Sequence, residues 1–247
     1  MDLKTYKYKF YLNATHFVNI NNKKGEIHPH TWEITCILTK RDVDFARFGT
    51  MQTKIENILD PLQDICINQM PIFENTNPTT ENMLEVLSNL IQKEIKEEGW
   101  LLLFAEISEN PTCSYYIDFT KKENNISPYF GYKLTSFLNA SHKTYFTSKP
   151  NIHNHTWEYI VRIVSTNNKK IDFFTLKNIL KEILDPLQGT LLNQHEMFKY
   201  VIPTMEEIAD EITYELEERL EKYHLKPIYV EINENSFCSF FIDKTNK

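Results

Sequence analysis

The second half of the sequence repeats the first half at a nearly constant spacing. His28 and His153 are 125 positions apart (153 − 28 = 125), and the segment LDPLQ that begins at Leu59 returns at Leu184 with the same offset. The same offset relates further identical residues: Trp32 and Trp157, Glu33 and Glu158, Asn68 and Asn193, and Cys113 and Cys238. A period of this length is too long for a solenoid repeat and corresponds to a whole domain. The chain of 247 residues is therefore predicted to form two tandem domains.

The boundary between the two copies is predicted in a polar stretch that contains a proline, Thr120–Tyr129. We place the first domain at residues 1–120, the linker at 121–127 and the second domain at 128–247. His16 and His142 are 126 rather than 125 positions apart (142 − 16 = 126), so one residue was gained or lost in the loop that follows them.

Each copy shows the same order of predicted elements. The segments YKYKFYLNATHF and HTWEITCILT of the first copy are rich in aromatic and β-branched residues, which is typical of strands. Two helical segments follow. The second helix of the second copy begins with Thr204 three residues before Glu207, a capping-box pattern, and carries an apolar stripe of Ile208, Ile212, Leu216 and Leu220. Two more strands close each copy. The order ββααββ predicts an α+β fold in which each domain is a four-stranded antiparallel sheet with both helices on one face.

Each copy also contains three histidines in the same order. Residues two apart on a strand point to the same side, so His28 and His30 present their imidazoles together. If the first two strands pair as a hairpin, His16 lies opposite them. The second copy repeats this pattern with His142, His153 and His155, so six of the eight histidines fall into two triads.

Three imidazoles with an open fourth position are the ligand set of a catalytic zinc site. Iron or another divalent ion is also compatible with three imidazoles. The alternative interpretation of a single HxH pair is two surface histidines at the start of a strand, and the duplication favours metal binding over that alternative.

Composition excludes several classes of function. The formal charge of −7 and the lack of a basic stripe argue against a nucleic-acid-binding protein. No apolar run reaches the length of a bilayer, and the first residues lack the pattern of a signal peptide, so we expect no membrane association. Four cysteines without a CxxC pair favour a cytoplasmic protein.

Together these motifs resemble the family of 6-pyruvoyl-tetrahydropterin and 6-carboxytetrahydropterin synthases, whose domain is the ββααββ T-fold. The residues that match the family pattern in the two copies are His16 and His142, HPH and HNH, IDFFTLK from Ile171, Asn68 and Asn193, PTTE and PTME, and Glu109 and Glu234. The resemblance implies one Zn²⁺ on each histidine triad. It also implies that Glu109 and Glu234 bind a reduced pterin, because a carboxylate can accept two hydrogen bonds from the ring amino group and the adjacent N–H. Since the family closes into rings, we expect a homo-oligomer, a trimer of two-domain chains that forms a pseudo-hexamer.

The chain departs from the family pattern at the residues that transfer protons. Lys24 and Lys149 stand where the family has a cysteine, four residues before each HxH pair. The Asp-His pair after the first helix is replaced by Gln63-Asp64 in the first copy and by Gln188-Gly189 in the second. Lys24, Asp64 and Lys149 are candidate replacements as acid or base, although such residues are ordinarily exposed loop charges.

Three functions are compatible with these residues. The first is a zinc-dependent carbon–oxygen or carbon–carbon lyase, or a hydrolase, acting on a reduced pterin such as dihydroneopterin triphosphate. The second is a catalytically inactive pterin- or purine-binding or assembly protein that keeps the fold and the metal site. The third is a purely structural role, in which the metal fastens the hairpin and its removal unfolds the chain.

Overall fold

The computed structural model describes residues 4–20, 23–40, 48–120, 129–144, 151–167 and 169–245. The backbone divides into two compact units, Met1–Phe130 and Gly131–Lys247. The predicted linker, residues 121–127, lies outside the described residues, so the boundaries at 120 and 128 remain predictions. None of the helices in the described ranges combines the length and the apolar character that crossing a membrane requires.

The first unit contains an antiparallel sheet and two helices. Its strands are β1 (Thr5–His16), β2 (Asn19–Ile20), β3 (Lys23–Lys24), β4 (His28–Lys40), β5 (Trp100–Asn110) and β6 (Cys113–Asp118). Its helices are α1 (Phe48–Leu59) and α2 (Thr80–Lys96), with three short 3₁₀ turns between them at Asp60–Leu62, Ile67–Gln69 and Pro71–Phe73. The strands β1, β4, β5 and β6 form the sheet in this order, and β2 pairs separately with β3.

The second unit repeats this arrangement. Its elements are β7 (Tyr129–Thr144), β8 (Asn151–Ser165), α3 (Phe173–Leu184), α4 (Met205–Glu221), β9 (Leu225–Asn235) and β10 (Cys238–Asp243), with 3₁₀ turns at Asp185–Leu187, Leu192–Gln194 and Glu196–Phe198. The antiparallel pairs are β7 with β8, β8 with β9, and β9 with β10. The predicted α+β fold with two tandem ββααββ domains is therefore confirmed.

Alternation along the strands determines which side chains enter the core. In β1 the residues Phe10, Leu12 and Ala14 are buried, whereas Tyr11 and Asn13 between them are exposed. The helices cover the buried face of the sheet with an apolar stripe, which in α4 consists of the predicted residues Ile208, Ile212, Leu216 and Leu220. Because His16 continues the inward series of β1, its side chain also points to the helix-covered face, at the end of the sheet.

The cap predicted for α4 at Thr204 is present, and α2 begins with an equivalent cap at Thr79. The Thr79 hydroxyl accepts a hydrogen bond from the Asn82 amide, and the Thr204 hydroxyl accepts one from the Glu207 amide. In each unit the residue before this cap is a proline, whose carbonyl reaches the histidine at the end of the first long strand. The helix start is thus tied directly to the predicted metal site.

Candidate functional site

Strand register brings the histidines of each triad together. In the β1–β4 pair, His16 lies opposite His28, and Ala14 lies opposite His30. The ring centroids of His16 and His28, His16 and His30, and His28 and His30 are 4.5, 5.0 and 4.9 Å apart. The equivalent distances in the second unit, among His142, His153 and His155, are 4.4, 5.1 and 4.7 Å. In both triads one ligand nitrogen per ring lies within 4.8 Å of the other two.

Backbone carbonyls fix the proton on the innermost histidine of each triad. The Nδ1 atom of His16 is 2.8 Å from the carbonyl oxygen of Pro78, and Nδ1 of His142 is 2.6 Å from that of Pro203. A carbonyl oxygen only accepts, so Nδ1 carries the hydrogen and donates it, and Nε2 keeps its lone pair. A metal-ligating histidine characteristically has such a partner on its other nitrogen.

The lone pair of each inner histidine points toward the other rings of its triad. Nε2 of His16 is buried and has no hydrogen-bond partner among the residues that the structure describes. Nε2 of His142 lies 2.8 Å from Nε2 of His153. A cation would satisfy these nitrogens, because a buried polar atom without a partner is costly. The donor set therefore fits a bound metal ion in both units.

A buried tryptophan forms one wall of each triad. The ring of Trp32 lies 5.0 Å from the rings of His16 and His30. Trp157 takes the same position beside His142 and His155, at 5.1 and 5.0 Å. Both indole side chains are fully buried. They exclude water from one side of the histidines and hold the rings against the core.

Burial keeps four of these imidazoles neutral at neutral pH. It is the largest cause that lowers the pKa of His16, His30, His142 and His155 below its ordinary value of 6.5. Neighbouring histidines lower these pKa values further, whereas the carboxylates of Glu109 and Glu234 act in the opposite direction. Neutral imidazole is the form that binds a metal.

The two predicted glutamates lie beside the triads but have different partners. Glu109, near the end of β5, accepts a hydrogen bond from the hydroxyl of Thr80, the first residue of α2. Glu234, near the end of β9, has Oε1 3.6 Å from Nε2 of His155. Glu234 also lines a cleft of about 420 Å³ together with His142, Thr144, Asn151, His153, Thr204, Met205 and Glu206. Equivalent positions in the repeat thus have different surroundings.

The three candidate acid–base residues are not equally placed. Lys24 is exposed, and its Nζ lies 4.3 Å from the centre of the Phe17 ring. Asp64 lines a second cleft, of about 410 Å³, whose other lining residues are Asn13, Ala14, Thr15, Pro29, His30 and Thr31. Asp64 also has a φ of 57°, a left-handed conformation that non-glycine residues rarely adopt. Lys149 lies outside the described residues.

Two glutamines have a structural role that sequence reasoning missed. The side chain of Gln63 accepts a hydrogen bond from the Asn13 amide at 2.9 Å and donates one to the Tyr11 carbonyl at 2.9 Å. Gln188 makes the same two bonds, with the Asn139 amide and the Phe137 carbonyl, at 2.9 and 2.8 Å. Each amide therefore binds the outer edge of the first long strand of its unit. In the sequence, the feature that could have indicated this role is the recurrence of the glutamine 125 positions later (188 − 63 = 125).

Two asparagines bind the backbone directly after the inner histidines. Asn68 accepts from the Phe17 amide and donates to the Phe17 carbonyl, both at 2.9 Å. Asn193 makes the same pair of bonds with Lys143, at 2.6 and 2.9 Å. Both asparagines match the family pattern, but the sequence alone did not indicate what their side chains bind. Their contacts show that they fix the chain immediately beyond His16 and His142.

Comparison with known proteins identifies a matching family. The model of the family described as "6-pyruvoyl tetrahydropterin synthase" matches residues 5–119 and again residues 132–245. No curated protein is similar enough to count as a relative.

Several solved structures are similar in fold. A hyper-thermostable mutant of AgUricase shares 10% identity over 100% of this chain and 94% of its own, with a TM-score of 0.50. Uricase from Arthrobacter globiformis shares 10% identity over 100% and 96% of the two chains, with a TM-score of 0.47. The Caenorhabditis elegans 6-pyruvoyl tetrahydropterin synthase shares 15% identity over 45% of this chain and 91% of its own, with a TM-score of 0.40. At 10% identity, the likeness to the AgUricase mutant supports the fold alone.

Proposed function

Because the chain belongs to the 6-pyruvoyl tetrahydropterin synthase family over residues 5–119 and 132–245, we propose that it is a zinc-dependent protein of pterin metabolism. Its substrate is a reduced pterin similar to dihydroneopterin triphosphate, and its reaction is that of a lyase with altered catalytic residues. The observation that carries this proposal is the convergence of three imidazoles in each unit, with ligand nitrogens within 4.8 Å of one another.

One Zn²⁺ per unit is proposed on His16, His28 and His30 and on His142, His153 and His155. The fixed tautomers of His16 and His142 and the lowered pKa values of the buried rings support this assignment. Zinc, when bound, polarises substrate oxygens and lowers the pKa of a bound water to near neutrality. The residues of the chain supply the neutral ligands and exclude water through Trp32 and Trp157.

The glutamates beside the triads are proposed to recognise the pterin ring. Glu109 already accepts a hydrogen bond from Thr80, which orients its carboxylate. Each carboxylate oxygen has two lone pairs, so both oxygens can still accept from a ligand. A carboxylate can accept both the amino group and the adjacent ring N–H of a pterin. Glu234 holds the equivalent position in the second unit, where it lies beside His155.

A second candidate function is a binding or assembly protein without catalysis. Gln63 and Gln188 favour it, because they stand where the family has a catalytic carboxylate and are engaged with the strand edge instead. For the lyase, Asp64 is the best placed of the candidate acid–base residues, since it shares a cleft with His30. Lys24 is a weaker candidate because its ammonium stacks on Phe17.

Assembly and location are also part of the proposal. We propose a cytoplasmic homo-oligomer, a trimer of two-domain chains, in which neighbouring chains cover the sheet edges. The end strand β10 carries the exposed side chain of Phe241, which is 59% accessible. Because β10 is the last strand in the order, one of its edges has no partner among the strands that the structure describes, and such an edge is ordinarily covered in a native assembly. A mass of about one chain in light scattering would contradict the trimer.

Turnover and binding assays separate the two candidate functions. Purified protein is incubated with dihydroneopterin triphosphate, and products are followed by mass spectrometry for the unaltered chain, His28→Ala, His153→Ala and the double variant. His195→Gln, which changes a histidine outside both triads, is the matched control. Conversion that is lost in the double variant supports the lyase. Pterin binding in calorimetry without conversion supports the binding protein, and conversion by the metal-free double variant excludes a metal-dependent lyase. If the unaltered protein shows neither pterin binding nor conversion, both candidate functions are excluded.

A further inference from the structure

The two triads differ at one position beside the glutamate. Thr80 and Met205 are equivalent in the repeat (205 − 80 = 125), and each is the first residue of its helix. The Thr80 hydroxyl is buried and donates to Glu109. Met205 has no hydroxyl group, so this position offers Glu234 no O–H donor. The substitution releases the carboxylate of the second unit from the helix start.

The released carboxylate lies beside His155, one of the three proposed metal ligands. Oε1 of Glu234 lies 3.6 Å from Nε2 of His155, and this nitrogen is buried without a hydrogen-bond partner among the described residues. Ligand atoms bonded tetrahedrally to one zinc ion, at about 2.0–2.1 Å each, are separated by about 3.4 Å. The distance between the two atoms is therefore close to that expected for two ligands of one ion.

We propose that Glu234 is the fourth protein ligand of a metal ion held by His142, His153 and His155, whereas Glu109 stays on Thr80 and leaves the fourth position of the first triad open. The inference rests on the proposed metal binding, and for the second unit it replaces the pterin-anchor role proposed above for Glu234, a role that Glu109 keeps in the first unit. A site with four protein ligands is typical of a structural metal, and a site with three is typical of catalysis. The first unit then holds the substrate-accessible site, and the second unit holds a tighter, closed one.

Metal titrations of the full chain test this assignment one site at a time. His28→Ala leaves only the second triad complete, and His153→Ala leaves only the first. Co²⁺ is the probe, because its visible absorption reports the coordination number and competition with a chromophoric chelator gives its affinity. Circular dichroism verifies that each variant is folded.

The two glutamates provide the matched comparison. In the His28→Ala background, Glu234→Gln is expected to weaken Co²⁺ binding by about tenfold or more and to change the visible spectrum. In the His153→Ala background, Glu109→Gln is expected to change the affinity by less than about threefold. Equal effects of the two glutamine variants would overturn the inference and leave the proposed metal sites intact. Loss of pterin binding without loss of Co²⁺ affinity in Glu234→Gln would also overturn it, in favour of the anchor role.

Exchanging Thr80 and Met205 tests whether the hydroxyl at the helix start determines the role of the glutamate, and it removes no metal ligand. Met205→Thr in the His28→Ala background should weaken Co²⁺ binding, because the new hydroxyl draws Glu234 away. Thr80→Met in the His153→Ala background should strengthen it. Unchanged affinities in both exchanges would contradict the inference. If neither background binds Co²⁺, the proposed metal sites fail and the inference fails with them.

Discussion

The carbonyl oxygen of Pro78 lies 2.8 Å from Nδ1 of His16, although the two residues are 62 positions apart in the sequence. The repeat preserves this relationship between Pro203 and His142, at 2.6 Å. In both units the residue before a helix cap therefore sets the tautomer of the innermost histidine. The consequence is that Nδ1 of the inner ring carries a proton and Nε2 of the neutral ring holds its lone pair toward its neighbours before any metal binds. Burial keeps this ring neutral, whereas the hydrogen bond to the carbonyl acts on its pKa in the opposite direction.

This arrangement predicts a loss of stability of the metal-free chain at acidic pH. Burial lowers the pKa of His16 and His142 below 6.5 in the folded state, so the unfolded chain binds more protons over the interval between the two pKa values. Their contribution to the free energy of unfolding is complete above pH 6.5 and is lost as the pH falls through the lowered, folded-state pKa. Urea unfolding in the presence of a chelator, at pH 7.5, 6.5 and 5.5, measures this decrease in the free energy of unfolding. The double variant His16→Gln/His142→Gln should show a smaller decrease, and an equal decrease would contradict the assignment.

The glutamine bound to the strand edge predicts a stability change at a half-buried position. Gln63→Ala removes two hydrogen bonds to β1 and should lower the free energy of unfolding by about 1–2 kcal/mol. Gln63→Glu should also destabilise, because a carboxylate cannot donate to the Tyr11 carbonyl. Gln52→Ala is the control, since among the described residues the Gln52 side chain bonds only Glu56 on its own helix, and its loss should change stability by less than about 0.5 kcal/mol. Equal effects of Gln63→Ala and Gln52→Ala in urea unfolding would refute the proposed role.

The repeat provides a test of whether Asp64 is retained for a ligand. Asp64 and Gly189 are equivalent and have φ values of 57° and 70°. Gly189→Ala should cost about 1–2 kcal/mol, because the left-handed conformation is strained for a residue with a Cβ atom. Asp64→Gly should unfold at the same denaturant concentration as the unaltered chain or a higher one. If Asp64→Gly is stable but loses turnover or pterin binding, the aspartate has a functional role; unchanged turnover and binding would remove it from the candidates.

Removal of metal is expected to lower the melting temperature without unfolding the chain. The core of each unit consists of apolar residues on the sheet and helices, such as Leu12, Ile34 and Ile212, which are fully buried. A ligand that binds only the folded state adds about 2.7 kcal/mol at one hundred times its dissociation constant. Far-ultraviolet circular dichroism after chelation shows whether the chain stays folded. Thermal unfolding with and without added Zn²⁺ then measures the shift in melting temperature. Complete loss of the spectrum would instead favour the purely structural role of the metal.

Local patterns were sufficient for the order of the elements. The aromatic and β-branched residues of YKYKFYLNATHF predicted a strand, and the spacing of Ile208, Ile212, Leu216 and Leu220 predicted the buried face of α4. The histidine triads were also predictable, since strand alternation and hairpin pairing determine that His28 and His30 share a face with His16. Duplication strengthened both predictions, because each pattern occurs twice.

Contacts between residues far apart in the sequence were not predictable. Thr80 and Glu109 are 29 positions apart, and Gln63 and Asn13 are 50 apart, so no local pattern connects them. Sequence comparison with the family identified Gln63 as a departure without indicating what the amide binds. The difference between Thr80 and Met205 is visible in the sequence, but its meaning depends on which side chain the hydroxyl reaches.

The tandem repeat has a consequence for how the two sites can diverge. In an assembly of identical chains, a substitution alters every copy of a site simultaneously. Here both triads are encoded separately in one polypeptide, so they are always made in equal numbers, and a change such as that at Met205 affects one of them alone. Because the two sites are encoded separately, one site can specialise by substitution while the residues of the other stay unchanged.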